Sequence, residues 1–166
     1  MPVSRGWRPM TADDLEAVVT IAAIGFPDHF EAHECFASRL SVFPDGCFIL
    51  DSEAGVEGYL ITYPWTTDSA PVLNRCIDAL PEDVSVLYLH DLALHPDVRG
   101  EGWSRSAMER VLELASRGGW PTVALVAVNE AVRFWQAHGF EVRQTPTMAA
   151  KLASYGTDAR YMVRPA

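Results

Sequence analysis

The chain is poor in positive charge. Thirteen Lys and Arg stand against twenty-two Asp and Glu, a formal net charge of −9. Phosphate backbones are bound by clustered basic residues, so nucleic acid is excluded as an expected partner. An acidic surface attracts cations and is compatible with a cationic substrate. Cysteine is equally scarce. Cys35, Cys47 and Cys76 are odd in number and scattered, which gives neither a disulfide framework nor metal-ligand spacing. No apolar run is long enough to span a membrane. Arg5 and Arg8 are followed by no apolar segment and no small-residue cleavage site, so no secretory leader is expected. Together these point to reduced thiols and a cytoplasmic location. Histidines do not cluster: His29 and His33 share helical spacing without a third ligand, so no metal is expected. Repeats, low-complexity tracts and internal linkers are absent too.

What is present suits a globular fold. Of 166 residues, 49% are hydrophobic and 21% charged, the balance of one ordinary domain over residues 1–166. A chain this long buries roughly two-thirds of its unfolded surface. Val3 to Pro9 can open as a strand. Thr11 and Asp13-Asp14 start a helix carrying Leu15, Val18, Val19 and Ala22, ended by Pro27. Phe30 to Phe43 predicts a second helix with Phe36, Leu40 and Phe43 on one face, stopped by Pro44-Asp45-Gly46. Cys47–Leu50 and Val56–Tyr63 predict a hairpin about the turn at Ser52–Gly55. Pro64 to Pro81 is loop-rich, with one or two helical turns at Val72 to Leu80. Val84–Leu94 is a long strand closed by His95-Pro96-Asp97. A helix from Glu101 or Gly102 to Arg117 buries Met108, Val111, Leu112 and Ala115 and stops at Gly118-Gly119. Thr122–Val128 is a buried strand, Ala131–His138 a short helix capped by Gly139, and Phe140–Gln144 and Ala159–Arg164 final strands. The pattern is mixed α/β with one central βαβ unit, Val84 to Val128.

The informative stretch joins that long strand to the next helix: Leu92-Ala93-Leu94-His95-Pro96-Asp97-Val98-Arg99-Gly100-Glu101-Gly102-Trp103-Ser104. Two glycines let backbone N–H groups converge on an anion, and the helix N-terminus adds positive potential. Such a turn suits a pyrophosphate. A dinucleotide-binding loop would need a third glycine where Arg105 stands, and a Walker loop would need Gly-Lys-Ser/Thr, which is absent.

These residues resemble the GNAT N-acetyltransferases, whose acetyl-CoA loop reads Arg/Gln-x-x-Gly-x-Gly/Ala. Arg99, Gly102 and Ser104 fall on its three specified positions, with Ser where Gly or Ala is usual. Val126-Ala127-Val128-Asn129 leading to Phe134-Trp135-Gln136-Ala137-His138-Gly139-Phe140 resembles the family's next strand, helix and closing Gly-Phe. The opening Arg8-Pro9-Met10-Thr11 with Asp14-Leu15 fits as well. The likeness covers roughly Val84 to Gln144. It implies the acyl-CoA N-acyltransferase fold: a mixed, mostly antiparallel central sheet flanked by helices.

The resemblance also implies roles. The pantetheine arm of acetyl-CoA would add to the backbone of Leu92, Ala93 and Leu94, in a gap between the Val84–Leu94 and Thr122–Val128 strands. Pyrophosphate would sit on the N–H groups of Arg99, Gly100, Glu101, Gly102, Trp103 and Ser104, with Arg99 and Arg105 supplying charge. Asn129 and Trp135 would complete the cofactor site. His90 and Asp91 precede the pantetheine strand, where the family often places its base; a His resembles His90 in position among arylalkylamine acetyltransferases. The family commonly has Tyr where Trp135 stands, so Tyr88, Tyr155 and Tyr161 are candidates for the leaving-group acid. Phe26, His29, Tyr59, Tyr63, Trp65 and Tyr155 would line the acceptor side. The implied activity is acetyl transfer to the primary amine of a small molecule by direct attack. The alternatives are a non-catalytic acyl-CoA sensor or a protein or peptide N-acetyltransferase. A homodimer is compatible with any of these.

Overall fold

A computed structural model describes residues 4–166. Val3, the predicted start of the first strand, lies outside them. The elements run β1 Gly6–Pro9, α1 Leu15–Gly25, α2 His33–Val42, β2 Cys47–Ser52, β3 Gly55–Trp65, β4 Val86–Leu94, α3 Trp103–Gly118, β5 Thr122–Ala127, α4 Val132–Ala137, β6 Glu141–Val142, α5 Pro146–Lys151 and β7 Arg160–Pro165. The strands form one sheet in the order β1-β2-β3-β4-β5-β7-β6. β4 and β5 are its parallel pair, bridged by α3, and the other pairings are antiparallel. This is the expected mixed sheet with its βαβ unit.

Strand alternation divides the core into two layers. Tyr59, Ile61 and Tyr63 of β3 pack with Leu15, Val18 and Ile21 of α1 and Phe36 of α2. Leu60, between them in sequence, faces the other layer with Ala107, Met108 and Val111 of α3 and Trp135 of α4. Each such buried aliphatic side chain stabilises the fold by about 1.5–3 kcal/mol. Gly119, at φ +73°, ends α3 in the left-handed conformation that favours glycine. No helix among the described residues is long and apolar enough to cross a membrane.

Three expectations are corrected, for related reasons. α2 begins at His33 rather than Phe30, and Phe30 is 68% exposed. The N–H of Ala32 is taken by Asn74 Oδ1 at 2.8 Å, so the chain before His33 is held from outside rather than by its own helical turn. The predicted turns at Val72–Leu80 are irregular loop. There the N–H of Asn74 donates to Glu31 Oε2 (2.9 Å) and that of Ile77 to Ser38 Oγ (2.9 Å). Phe140–Gln144 shortens to Glu141–Val142, because Thr145 opens a helix the sequence reading lacks: its hydroxyl accepts from the N–H of Met148 at 3.1 Å.

Candidate active site

A bulge in β4 sets up the site. Asp91 pairs with Ile61 and Leu89 with Thr62, which leaves His90 as an extra residue in the ladder. The bulge shifts the alternation, so His90 and Asp91 turn to the same face of the sheet. Tyr59 and Tyr63, four apart on β3, share that face and receive them: Tyr63 Oη lies 2.9 Å from His90 Nδ1, and Tyr59 Oη donates to Asp91 Oδ2 at 2.9 Å. On its other edge β4 pairs with β5 only at Leu87↔Val123 and Tyr88↔Ala124. Both strands continue, to Leu94 and Ala127, so they diverge and leave the β5 side of Leu92–Leu94 open.

The divergent end faces the glycine loop. Gly100 and Gly102 sit at φ +80° and +89°, and a Cβ added at either would meet nothing within 4 Å. The turn therefore presents bare backbone at the N-terminus of α3, the shape a pyrophosphate needs. Arg99 is exposed, with Nε donating to the Leu94 carbonyl at 3.1 Å. A cavity of about 370 Å³ is walled by Leu92, Ala93, Leu94, Arg99 and Asn129. Asn129 holds the left-handed conformation, φ +54°, at the end of β5. These residues fit a coenzyme A arm.

A second cavity, of about 140 Å³, shares Phe26, Leu92, Val128, Ala131 and Phe134 with the first. Its polar wall is His29, Glu31, His90 and Asp91. Glu31, on the loop before α2, accepts from His90 Nε2 at 2.7 Å and from Asn74 N–H, and pairs with Arg39. Arg39 is 0% exposed. Burial pushes the Glu31 carboxyl up, but the charges of His90 and Arg39 outweigh it and hold the group below its ordinary value. Burial lifts the Asp91 carboxyl above its ordinary value, against the pull of His90 and Arg39. Glu31, His90 and Asp91 bring donor atoms within 4.8 Å of one another. With Glu31 paired to Arg39 and His90 Nδ1 to Tyr63, the trio is an internal charge network.

Residues 15–140 match the model of the acetyltransferase (GNAT) family. The chain belongs to the GNAT acetyltransferase family. Solved structures with the same fold include the loading GNATL domain of CurA from Lyngbya majuscula (TM-score 0.77) and Ard1 from Thermoplasma volcanium (TM-score 0.73), each 16% identical with 98% of both chains covered. The ribosomal-protein-S18-alanine N-acetyltransferase from Escherichia coli, also 16% identical, gives a TM-score of 0.65 over 98% of this chain and 94% of its own. Comparison with curated proteins found no match.

Within this GNAT frame the expected residues separate. Phe26, His29, His90, Asp91 and Tyr155 meet at the smaller cavity, and Trp135 is in its wall. Trp65 does not reach it. That side chain stacks edge-on against Tyr63 at 5.7 Å and borders a different depression, beside Cys76. Tyr63 is wholly buried and does not line the cavity; its hydroxyl meets His90, which does. Both His90 ring nitrogens have protein partners, Tyr63 at Nδ1 and Glu31 at Nε2. Among the candidate acids, Tyr161 accepts from the N–H of Asp68 at 3.1 Å, away from the cavity. Tyr88 is buried in the core. Tyr155 lines the cavity but commits its hydroxyl to the Pro71 carbonyl at 2.7 Å. Glu31, in the cavity wall, and Arg39, buried and paired with it, are the residues of this network that the sequence reading lacks.

Proposed function

We propose that the protein, as one GNAT domain spanning residues 1–166, transfers the acetyl group of acetyl-CoA to the primary amine of a small molecule in a reduced, cytoplasmic setting. The observation that carries this reading is the shared wall between the two cavities. It joins the open edge of β4 and the glycine loop to a small pocket with buried carboxylates. Backbone N–H groups from Gly100 to Ser104 would hold the pyrophosphate, with Arg99 and Arg105 adding charge. Leu92–Leu94 would hold the pantetheine arm, with Asn129 and Trp135 beside it. Asp91 and Glu31 would draw in an ammonium group and orient it toward the divergent strands. His90 is a positioning residue, linking Glu31 to Tyr63.

The cavity's 140 Å³ holds roughly five water-sized groups, which favours a compact amine over a peptide. Cys35, Cys47 and Cys76 are free thiols, in keeping with the reduced setting. The test is thiol release from acetyl-CoA against a panel of small amines, with peptide N-termini alongside, and calorimetry of acetyl-CoA binding. Turnover of a small amine is the expected result. Turnover of peptides alone moves the protein to the peptide class, and binding without turnover makes it an acyl-CoA sensor. Failure to bind acetyl-CoA or CoA overturns the reading.

A further inference from the structure

Two of the three thiols stand 41 residues apart in sequence and meet in the fold. Cys35 is buried in the first turn of α2. Cys76 is exposed on the loop after β3 and borders an open depression of about 410 Å³. The Cys76 thiol donates to Cys35 Sγ at 3.9 Å, and Cys35 Sγ donates in turn to Asn74 Oδ1 at 3.4 Å. Hydrogen bonds tie the loop to α2 and the residues just before it on both sides of this contact. Before Cys76, Asn74 donates its N–H to Glu31 Oε2 at 2.9 Å and accepts from the N–H of Ala32 at 2.8 Å. After it, the N–H of Ile77 donates to Ser38 Oγ at 2.9 Å. The two sulfurs are thus held side by side without a bond between them. A disulfide would bring them to about 2.05 Å, a further approach of about 2 Å. The third thiol, Cys47, is 0% exposed, and burial pushes its pKa up to about 12, which leaves it inert.

We propose that Cys35 and Cys76 are an oxidisable pair, which a peroxide joins reversibly into a disulfide that clamps the 72–80 loop onto α2 and narrows the acceptor cavity. The effect on the acceptor rests on the acetyltransferase reading above, and the crosslink does not. Cys76 reacts first because it is the exposed thiol. Its thiolate attacks one oxygen of hydrogen peroxide. The O–O bond breaks, the sulfur becomes a sulfenic acid, and the other oxygen leaves as hydroxide, which takes up the proton the thiol lost. The Cys35 sulfur then attacks the Cys76 sulfur. The S–S bond forms, the S–O bond breaks, and the departing hydroxide takes the Cys35 proton to give water. Two thiols and one peroxide give one disulfide and two waters: the sulfurs together lose two electrons and the peroxide gains them. The second step is intramolecular, so the burial of Cys35 does not hinder it. A dithiol reverses the reaction by exchange. Leu73, three residues before Cys76, and Phe36, next to Cys35, both line the acceptor cavity, as does Glu31. Drawing loop and helix together draws those walls together. None of the three borders the larger cavity at the glycine loop.

The test treats the full chain with hydrogen peroxide and maps its peptides by mass spectrometry. Cys35 and Cys76 should be recovered in one crosslinked pair of peptides that dithiothreitol separates. The thermal midpoint should rise by roughly 5–15 °C, the effect of closing a loop of this length in the unfolded chain. Amide exchange at Asn74 and Ile77 should slow. Cys76→Ser, at an exposed position, should keep the midpoint and acetyl-CoA affinity of the reduced chain and show none of these changes. With an amine that the wild type acetylates, oxidation should raise the acceptor KM by more than about threefold and leave the acetyl-CoA Kd within about twofold. Oxidation of Cys76 to the sulfinic acid with Cys35 still a thiol overturns the crosslink, and so does a Cys76 disulfide between two chains. A crosslinked chain with an unchanged midpoint overturns the clamp, and one with an unchanged acceptor KM overturns the narrowing of the cavity. Absence of turnover by the reduced chain with every amine overturns the acetyltransferase reading and the effect on the acceptor together, while the peptide map still decides the crosslink.

Discussion

Glu31→Gln should destabilise the fold far more than an ordinary surface change. Arg39 is fully buried, and its Nε and Nη1 have no protein acceptor among the described residues. What it has is Glu31, through Nη2, and the ring of Phe36 at 5.5 Å. Glu31 is thus the paired counter-charge of a guanidinium that water cannot reach. Removing one partner of a buried pair costs about 3–5 kcal/mol, because the other charge is left uncompensated. At about 2–4 °C per kcal/mol for a chain of this size, the midpoint should drop by roughly 6–20 °C.

The same pair sets a pH dependence. Glu31 is held below its ordinary value of 4.5, so the native state binds fewer protons than the unfolded chain at low pH. The stabilisation is complete above that ordinary value and is lost as pH falls below it. Urea unfolding at pH 7 and at pH 4, followed by the fluorescence of the five tryptophans, reads both effects. Glu31→Gln should also flatten the acid loss. A double change, Glu31→Leu with Arg39→Met, removes both charges and should be less destabilised than the single one. If Glu31→Gln unfolds within about 1 kcal/mol of the wild type, below the range for a broken buried pair, the reasoning is wrong.

Gly102→Asp puts a side chain and a negative charge at a φ of +89°, where a non-glycine residue costs roughly 1–2 kcal/mol. Calorimetry should show acetyl-CoA binding lost in a protein that still folds. Tyr59→Phe removes the hydroxyl that favours the Asp91 carboxylate, so the already raised Asp91 carboxyl should rise further. A carboxyl-detected NMR titration of Asp91 should move to higher pH, and an unmoved or downward titration contradicts the assigned hydrogen bond. Trp65→Phe should leave acetyl-CoA affinity and acceptor KM unchanged within about twofold, under 0.5 kcal/mol, since Trp65 borders neither cavity that forms the site. A large rise in acceptor KM would return Trp65 to the acceptor wall.

Much of the scaffold is legible because its signals are local. The β2–β3 hairpin announces itself by a Gly turn between apolar runs, and α3 by its apolar stripe and the Gly118-Gly119 stop. The glycine loop is legible as a motif for the same reason. What resists reading is backbone whose hydrogen-bond partners lie far along the chain. The 72–80 segment looks helical until Glu31 and Ser38 claim the N–H groups of Asn74 and Ile77 from more than 35 residues away. The bulge at His90 is a one-residue slip in pairing, and no spacing in the sequence marks it. Adjacency to the loop motif points to His90 and Asp91, but only the slip puts them on one face.

Arg39 carries a further clue within α2. It stands three residues after Phe36, one before Leu40 and four before Phe43, on the stripe those aromatic and aliphatic residues define. An arginine on a buried stripe requires a carboxylate. The nearest acids upstream are Glu34 and Glu31. Glu34 is five residues upstream, which in a helix turns it well away from Arg39. Glu31 is eight upstream, and a helix continued that far would place it about 12 Å along the axis, too far for an ion pair. The pair therefore cannot form unless the helix starts after Glu31, as it does at His33. The late start of α2 and the burial of Arg39 thus satisfy one requirement together. Leaving residues 26–32 outside any helix is also what brings Phe26, His29 and Glu31 to the wall of the acceptor cavity.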